Sequence, residues 1–215
     1  MQLEALIGGT TLDLGSPYVI TGNYAVPPTF VVARPPASSP GGSGRFAAAL
    51  AYDDGIHVFV ANAQGAVTDI PIPSTPVASD ANCEVPEFGS SGCTVMTVGV
   101  MFRAMALAWT DDGTLWLAYV ESSLDETFGQ KYTPGEDGPG TRYVTSDMST
   151  HTIHLLKLSM DGSAPQDLLS VPTDRPADLD MNSAGTDLAI AIGTYVHPLS
   201  GDGATRVLRV DTTKL

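Results

Sequence analysis

One strand–turn–strand phrase recurs along this chain, and it limits the possible folds more than any other feature. In "AMALAWTDDGTLWLA", residues 104–118, two apolar runs flank the compact turn Thr110-Asp111-Asp112-Gly113. The segment "PADLDMNSAGTDLAI" aligns with it without a gap at a shift of 72 residues. Leu107 then meets Leu179, Trp109 meets Met181, Gly113 meets Gly185 and Trp116 meets Leu188. An earlier copy, "FAAALAYDDGIHVFVANA", fits with one residue fewer before its turn Asp53-Asp54-Gly55. Apolar runs of this length around a Gly turn predict antiparallel hairpins, and an internal repeat of hairpins predicts an array of similar sheets.

Each copy is followed by another β-rich run: "GAVTDIPIPST", "HTIHLLKLSMDGSAPQDLLSVP" and "GATRVLRVDTTKL". No long stretch has helical periodicity with caps. The expected class is therefore all-β, built from units of three to four antiparallel strands at about 45–102, 103–171 and 172–215. Residues 1–44 are irregular, although "TTLDLG" and "PTFVVARPP" can supply strands to a unit. The Pro-rich "RPPASSPGGSG", 34–44, predicts a loop or linker.

Units of this length fit the blades of a β-propeller better than strand pairs of a sandwich. "LLKLSMDGSAPQDLLSVPTDRPADLDMNSAGTDLAIAIG" resembles the blade junctions of bacterial TolB-like and WD40-like propellers. "DGIHVFVANAQGAVTDIPI" and "RVLRVDTTKL" are similar to YVTN and NHL repeats. The resemblance covers about 45–215 and implies a propeller-like array. About three and a half units are visible, whereas closed propellers typically have four to eight blades. The expectation is either a compact four-bladed ring or a partial propeller completed by further blades or another chain. The turn Thr110–Trp116 has the ingredients of the sialidase Asp-box, but Gly113 directly follows Asp112 and Thr114 is separated from Trp116.

Composition narrows the classes of partner. Lys plus Arg number 10 against 24 Asp plus Glu, a net charge of −14. Such a field repels nucleic-acid phosphates and anionic lipid surfaces. No apolar run approaches the roughly 18 residues of a membrane span, so membrane insertion is not expected. Gly (22) and Pro (16) are abundant, as a turn-rich β protein requires. The start "MQLEALIGGTTLDLG" has no signal-peptide character, so an exported protein would have had its signal removed. The two cysteines, Cys83 and Cys93, lie in "SDANCEVPEFGSSGCTVM". A disulfide is the favoured reading, with free thiols or metal ligation as alternatives. An oxidised pair implies an extracellular or periplasmic location.

The stretch 121–150, "ESSLDETFGQKYTPGEDGPGTRYVTSDMST", reads as a long loop rich in carboxylates and aromatics. Long loops are often functional, and Glu121, Asp125, Glu126, Phe128, Tyr132 and Tyr143 are the candidate ligand-binding residues. With 73–96 this loop would form a recognition surface for a protein or carbohydrate ligand. His151 and His154 stand three apart on a strand and so point to opposite faces, which prevents a shared metal. His57 reads as a half-buried strand residue and His197 as a loop residue. "DLDMNSAGTD", 178–187, lacks the Gly and Glu positions of a calcium loop. No metal site or cofactor is expected, with structural calcium left open. Motifs for nucleophile elbows, phosphate loops, dinucleotide binding or zinc proteases are missing. The leading expectation is a non-catalytic binding scaffold exported by a bacterium. The alternatives are a propeller enzyme acting on carbohydrate through rim carboxylates, as a glycoside hydrolase or lyase, and a structural module of a larger polypeptide.

Overall fold

The computed structural model describes residues 4–7, 10–13, 30–40, 42, 44–52, 55–73, 78–82, 93–131, 141–147, 150–160, 163–173, 176–194 and 205–215. Within these residues the chain is all-β and antiparallel, with one short 3-10 turn at Thr212–Lys214. No helix among them is long and apolar enough to cross a membrane.

A hairpin of β1 (Glu4–Ile7) and β2 (Thr10–Asp13) comes first. The front sheet follows in chain order: β3 (Phe30–Ala33), β4 (Phe46–Tyr52), β5 (Gly55–Ala61) and β6 (Val67–Pro73). The central sheet contains β7 (Ala78–Asn82), β8 (Cys93–Trp109), β9 (Leu115–Lys131), β10 (Thr141–Asp147), β11 (Thr150–Leu158) and β12 (Gln166–Thr173). Its strand order is β12-β11-β9-β8-β7, with β10 pairing to β9 as well. The back sheet is β13 (Pro176–Ala184), β14 (Asp187–Thr194) and β15 (Thr205–Asp211).

These three sheets stack face to face, and the central sheet is buried on both sides. Met105, Leu107 and Trp109 of β8, with Leu115, Leu117 and Tyr119 of β9, pack against Ala47, Ile56, Val58 and Ile70 of the front sheet. The alternate residues Ala104, Ala106, Ala108, Trp116, Ala118 and Val120 pack against Leu179, Met181, Leu188 and Ile190 of the back sheet. A strand covered on both faces must be apolar at every position. This explains why β8 and β9 read as unbroken apolar runs around their turn. β5 alternates instead, burying Ile56, Val58 and Val60 while His57 and Phe59 face away from the central sheet.

The hairpin turns line up at one end of the stack. The backbone N–H of Asp111 donates to the carbonyl of Gly185 at 3.1 Å, and Ser183 Oγ donates to the carbonyl of Trp109. Gly113 (φ +83°) and Gly185 (φ +64°) adopt the left-handed conformation that their turns require. Pro40, between β3 and β4, lies beside Gly113. The Pro-rich segment expected to be a loop or linker is thus the loop of the β3–β4 hairpin, placed beside the β8–β9 turn. Here the structure offsets the first sequence copy by one strand. The front sheet comes nearest to β8 through β3, so the β3–β4 pair, rather than β4–β5, corresponds to β8–β9.

Candidate functional site

Where they are described, the segments expected to be recognition loops are strands: 78–82 and 93–96 in the first, 121–131 and 141–147 in the second. β8 and β9 each run 17 residues, while no other described strand exceeds nine. At about 3.3 Å per residue they reach roughly 55 Å, nearly twice the length of the flanking strands. Beyond the packed positions, β7 pairs with Thr94–Val98 of β8 and β10 pairs with Glu126–Lys131 of β9. The result is a four-stranded arm, β7-β8-β9-β10, at the end of the stack opposite the aligned turns. The C-terminal ends of β6 at Pro73 and β12 at Thr173, and the start of β13 at Pro176, lie at the same end. The sequence disguised this arm because acids, Gly and Pro crowd 121–150, whereas antiparallel partners on both sides satisfy the β9 backbone.

Most of the candidate binding residues lie along this arm. Glu121 is half-buried on β9, opposite Phe102 and Thr152. Asp125 stands opposite Val98, and Glu126 opposite Thr97 and Asp147. Phe128 is flanked by Val95 and Val144, and Tyr143 stands opposite Gly129. Tyr132 lies outside the described residues. So does the proposed Cys83–Cys93 pairing, because Cys83 is not described; Cys93 begins β8 opposite Gln130. His197 also falls outside them.

One polar side-chain cluster on the central sheet was missed by sequence reasoning. His154 Nδ1 lies 2.7 Å from Asp167 Oδ2 and 3.2 Å from Ser170 Oγ, and Ser170 Oγ donates to Asp167 Oδ2 at 3.2 Å. The Tyr119 ring is stacked on His154. In a regular strand Asp167 and Ser170, three apart, would face opposite ways. A β-bulge between Leu155 and Leu156 leaves Leu168 without an opposite residue, since Leu155 pairs with Leu169 and Leu156 with Asp167. The bulge therefore brings Asp167 onto the face that carries His154, a common use of such irregularities. Burial, reinforced by the carboxylates of Glu121 and Asp167, pushes the Tyr119 hydroxyl above its ordinary pKa. Although Ser, His and Asp meet here, the serine and the aspartate share Nδ1. A nucleophilic triad needs its serine on the ring nitrogen opposite the aspartate, so this geometry holds a side chain in place and does not activate a nucleophile.

His151 points to the other face, as strand alternation predicts, and its Nδ1 lies 2.7 Å from the buried Ser122 Oγ. His57 pairs with Asp69 at 2.9 Å and is partly exposed. The Asp112 side chain is held within its own turn. Thr110 Oγ1 donates to Asp112 Oδ1 at 2.6 Å, and the Thr114 N–H donates to the same oxygen at 3.0 Å. Trp116 Nε1 donates to Thr110 Oγ1 at 3.2 Å. The Thr110 hydroxyl, together with the Thr114 N–H, holds the Asp112 carboxyl below its usual range. With its lone pairs engaged by its own turn, Asp112 serves the hairpin.

On β13, Asp178, Asp180 and Asn182 each accept, through Oδ1, from the next residue's backbone N–H at 2.8 Å. Asp178 and Asp180 of the stretch first compared with a calcium loop are thus engaged with their own strand, and Asp187, at its end, pairs with Arg209 of β15. Among the described residues no group of three or more His, Cys, Asp or Glu side chains is placed to hold a metal ion. No protein-family model, curated protein or solved structure matches this chain.

Proposed function

We propose that this chain is a non-catalytic binding scaffold with a propeller-like array of sheets, which presents the β7-β8-β9-β10 arm as its recognition surface. The observation that carries this reading is the length of β8 and β9: two strands anchored in a doubly buried core continue as an arm bearing Glu121, Asp125, Glu126, Phe128 and Tyr143. Rigid strands hold a binding surface more accurately than loops do. The polar clusters of known geometry favour structural roles, since their hydrogen bonds close on one another. The face-to-face stacking of successive sheets in chain order supports the propeller-like reading, with completion by further blades or a second chain. Carbohydrate or protein ligands suit a surface of mixed carboxylates and aromatics, and export to an oxidising compartment fits the Cys83–Cys93 spacing.

The test is a screen of the purified chain on immobilised glycans and displayed peptides, with each captured ligand recovered and weighed. Saturable binding with the ligand recovered intact is expected, weakened at least tenfold by Asp125→Ala/Glu126→Ala. Cleaved ligand would favour the carbohydrate-enzyme reading, and binding unchanged by the double variant would remove the arm from the recognition surface.

A further inference from the structure

Counted from β3, β8 and β13, the third strand of each stacked sheet carries one pattern on one face. A basic residue is followed by two apolar ones: His57, Phe59 and Ala61 on β5, His154, Leu156 and Leu158 on β11, Arg206, Leu208 and Val210 on β15. On the second strands His57 stands opposite Leu50, His154 opposite Tyr119 and Arg206 opposite Ile192. In the front and central sheets a fourth strand follows, with an aspartate opposite the first of the two apolar residues. Asp69 stands opposite Phe59 and Asp167 opposite Leu156. Each aspartate reaches diagonally to its histidine, at 2.9 Å and 2.7 Å. In the back sheet, among the described residues, β15 pairs with β14 alone and no fourth strand follows.

The edge of β15 has the chemistry of a pairing edge. The Thr212 N–H donates to the Thr186 carbonyl at 3.1 Å. Antiparallel alternation from that bond turns the N–H groups of Leu208 and Val210 toward β14 and those of Val207 and Arg209 outward. The other edges are blunted. Pro71 and Pro73 on β6 and Pro172 on β12 lack the donor that an added strand needs, and side chains of β13 take up its own N–H groups. β13 packs against β8, so a strand beyond β15 extends the back sheet toward β12. There Leu169 and Val171, paired with the buried Leu155 and Ile153, are only half-buried, as is Leu208. We propose that β15 receives a fourth strand from another protein: an extended segment of alternating apolar residues with a carboxylate opposite Leu208. Main-chain bonds would supply the pairing, as in other strand additions, and the apolar residues would cover Leu169 and Leu208. Arg206 and Arg209 make the strand locally basic, and a guanidinium has donors enough to take a carboxylate beside its other contacts. The β1–β2 hairpin is paired with itself, and a second copy would approach against a net charge of −14 on each chain. This edge is separate from the arm, and the proposal does not depend on the arm binding a ligand.

The probe is a synthetic octapeptide, QDLLSVPT, the sequence of the central sheet's own fourth strand. Amide exchange of the full-length chain is followed by NMR, residue by residue, with and without the peptide at about millimolar concentration, enough to half-fill a weak site. The proposal predicts that the peptide slows the Val207 and Arg209 amides at least threefold and leaves those of β6 unchanged. The peptide carrying Leu169→Pro should have no effect, and the peptide carrying Asp167→Lys should protect less. No slowing at β15, slowing elsewhere instead, or equal protection by either altered peptide would overturn it. So would slow exchange of Val207 and Arg209 without peptide. If independent of protein concentration, it would place one of the chain's own segments on this edge; if concentration-dependent, a second copy.

Discussion

The Tyr119 ring lies against the His154 imidazole with centroids 5.0 Å apart and planes 14° from parallel. This stack sits at the border between front and central sheets, where Tyr119 is only 6 % exposed. It joins a buried aromatic to a polar row that begins with Asp167.

The buried hydroxyl of Tyr119 predicts alkaline sensitivity. Its folded pKa is raised, so the stabilisation is fully present below the unfolded tyrosine value of about 10 and is lost as pH climbs above it. The unfolded chain can then release a proton that the folded chain retains. Urea unfolding at pH 8 to 11 should show stability falling in the wild type. Tyr119→Phe should flatten that fall by up to about 1.4 kcal/mol per pH unit.

The two tryptophans should behave differently. Trp116 Nε1 donates to Thr110, whereas Trp109 Nε1 is buried and has no hydrogen-bond partner among the described residues. Replacing either by Phe removes similar volume, but only Trp116→Phe breaks a hydrogen bond and leaves its acceptor altered. Chemical denaturation should find Trp116→Phe more costly than Trp109→Phe by about 1 kcal/mol. Equal losses would contradict the assignment.

Thr110 is fully buried and ties Asp112, Thr114 and Trp116 together. Thr110→Val, which keeps the shape and removes the hydroxyl, should cost about 1–3 kcal/mol. Because Asp112 has a lowered folded pKa, its contribution is present above the unfolded value near 4 and is lost as pH falls through the folded one. Solvent screening at this exposed side chain limits the effect to a few tenths of a kcal/mol. Asp112→Asn should therefore flatten the acid limb of a stability–pH curve only slightly.

The edge of β13 is covered by its own side chains, through the three contacts from Asp178, Asp180 and Asn182. Exposed edges invite strand addition. The triple variant Asp178→Ala/Asp180→Ala/Asn182→Ala should show concentration-dependent self-association by light scattering, while the wild type stays dispersed under the same conditions.

Much of this architecture was legible because period-2 patterning and turn glycines are local signals. Gly113 and Gly185 marked equivalent hairpins and the apolar runs beside them marked strands, but that β8 and β9 are covered on both faces emerged only from the packing of the three sheets. The match of Gly55 to Gly113 failed by one strand, since local hairpin resemblance cannot reveal which strand faces the neighbouring sheet. Asp167 was invisible as a partner of His154 because it reaches that face only through the bulge at Leu168. The arm was read as loop because its acids and glycines outweighed the alternation in "TVMTVGVMF". Strand pairing between distant segments decides such cases.

The central claim is that one sheet lies buried between two others. Hydrogen–deuterium exchange resolved by residue tests it most directly, since the most protected amides open only with the whole fold. The account predicts the slowest exchange at Ala104–Trp109, Leu115–Val120 and Ile153–Leu156, with faster exchange in the arm strands β7 and β10 and at the edges β6 and β15. If β8 and β9 exchanged no more slowly than β6 or β15, the three sheets would not be stacked as described.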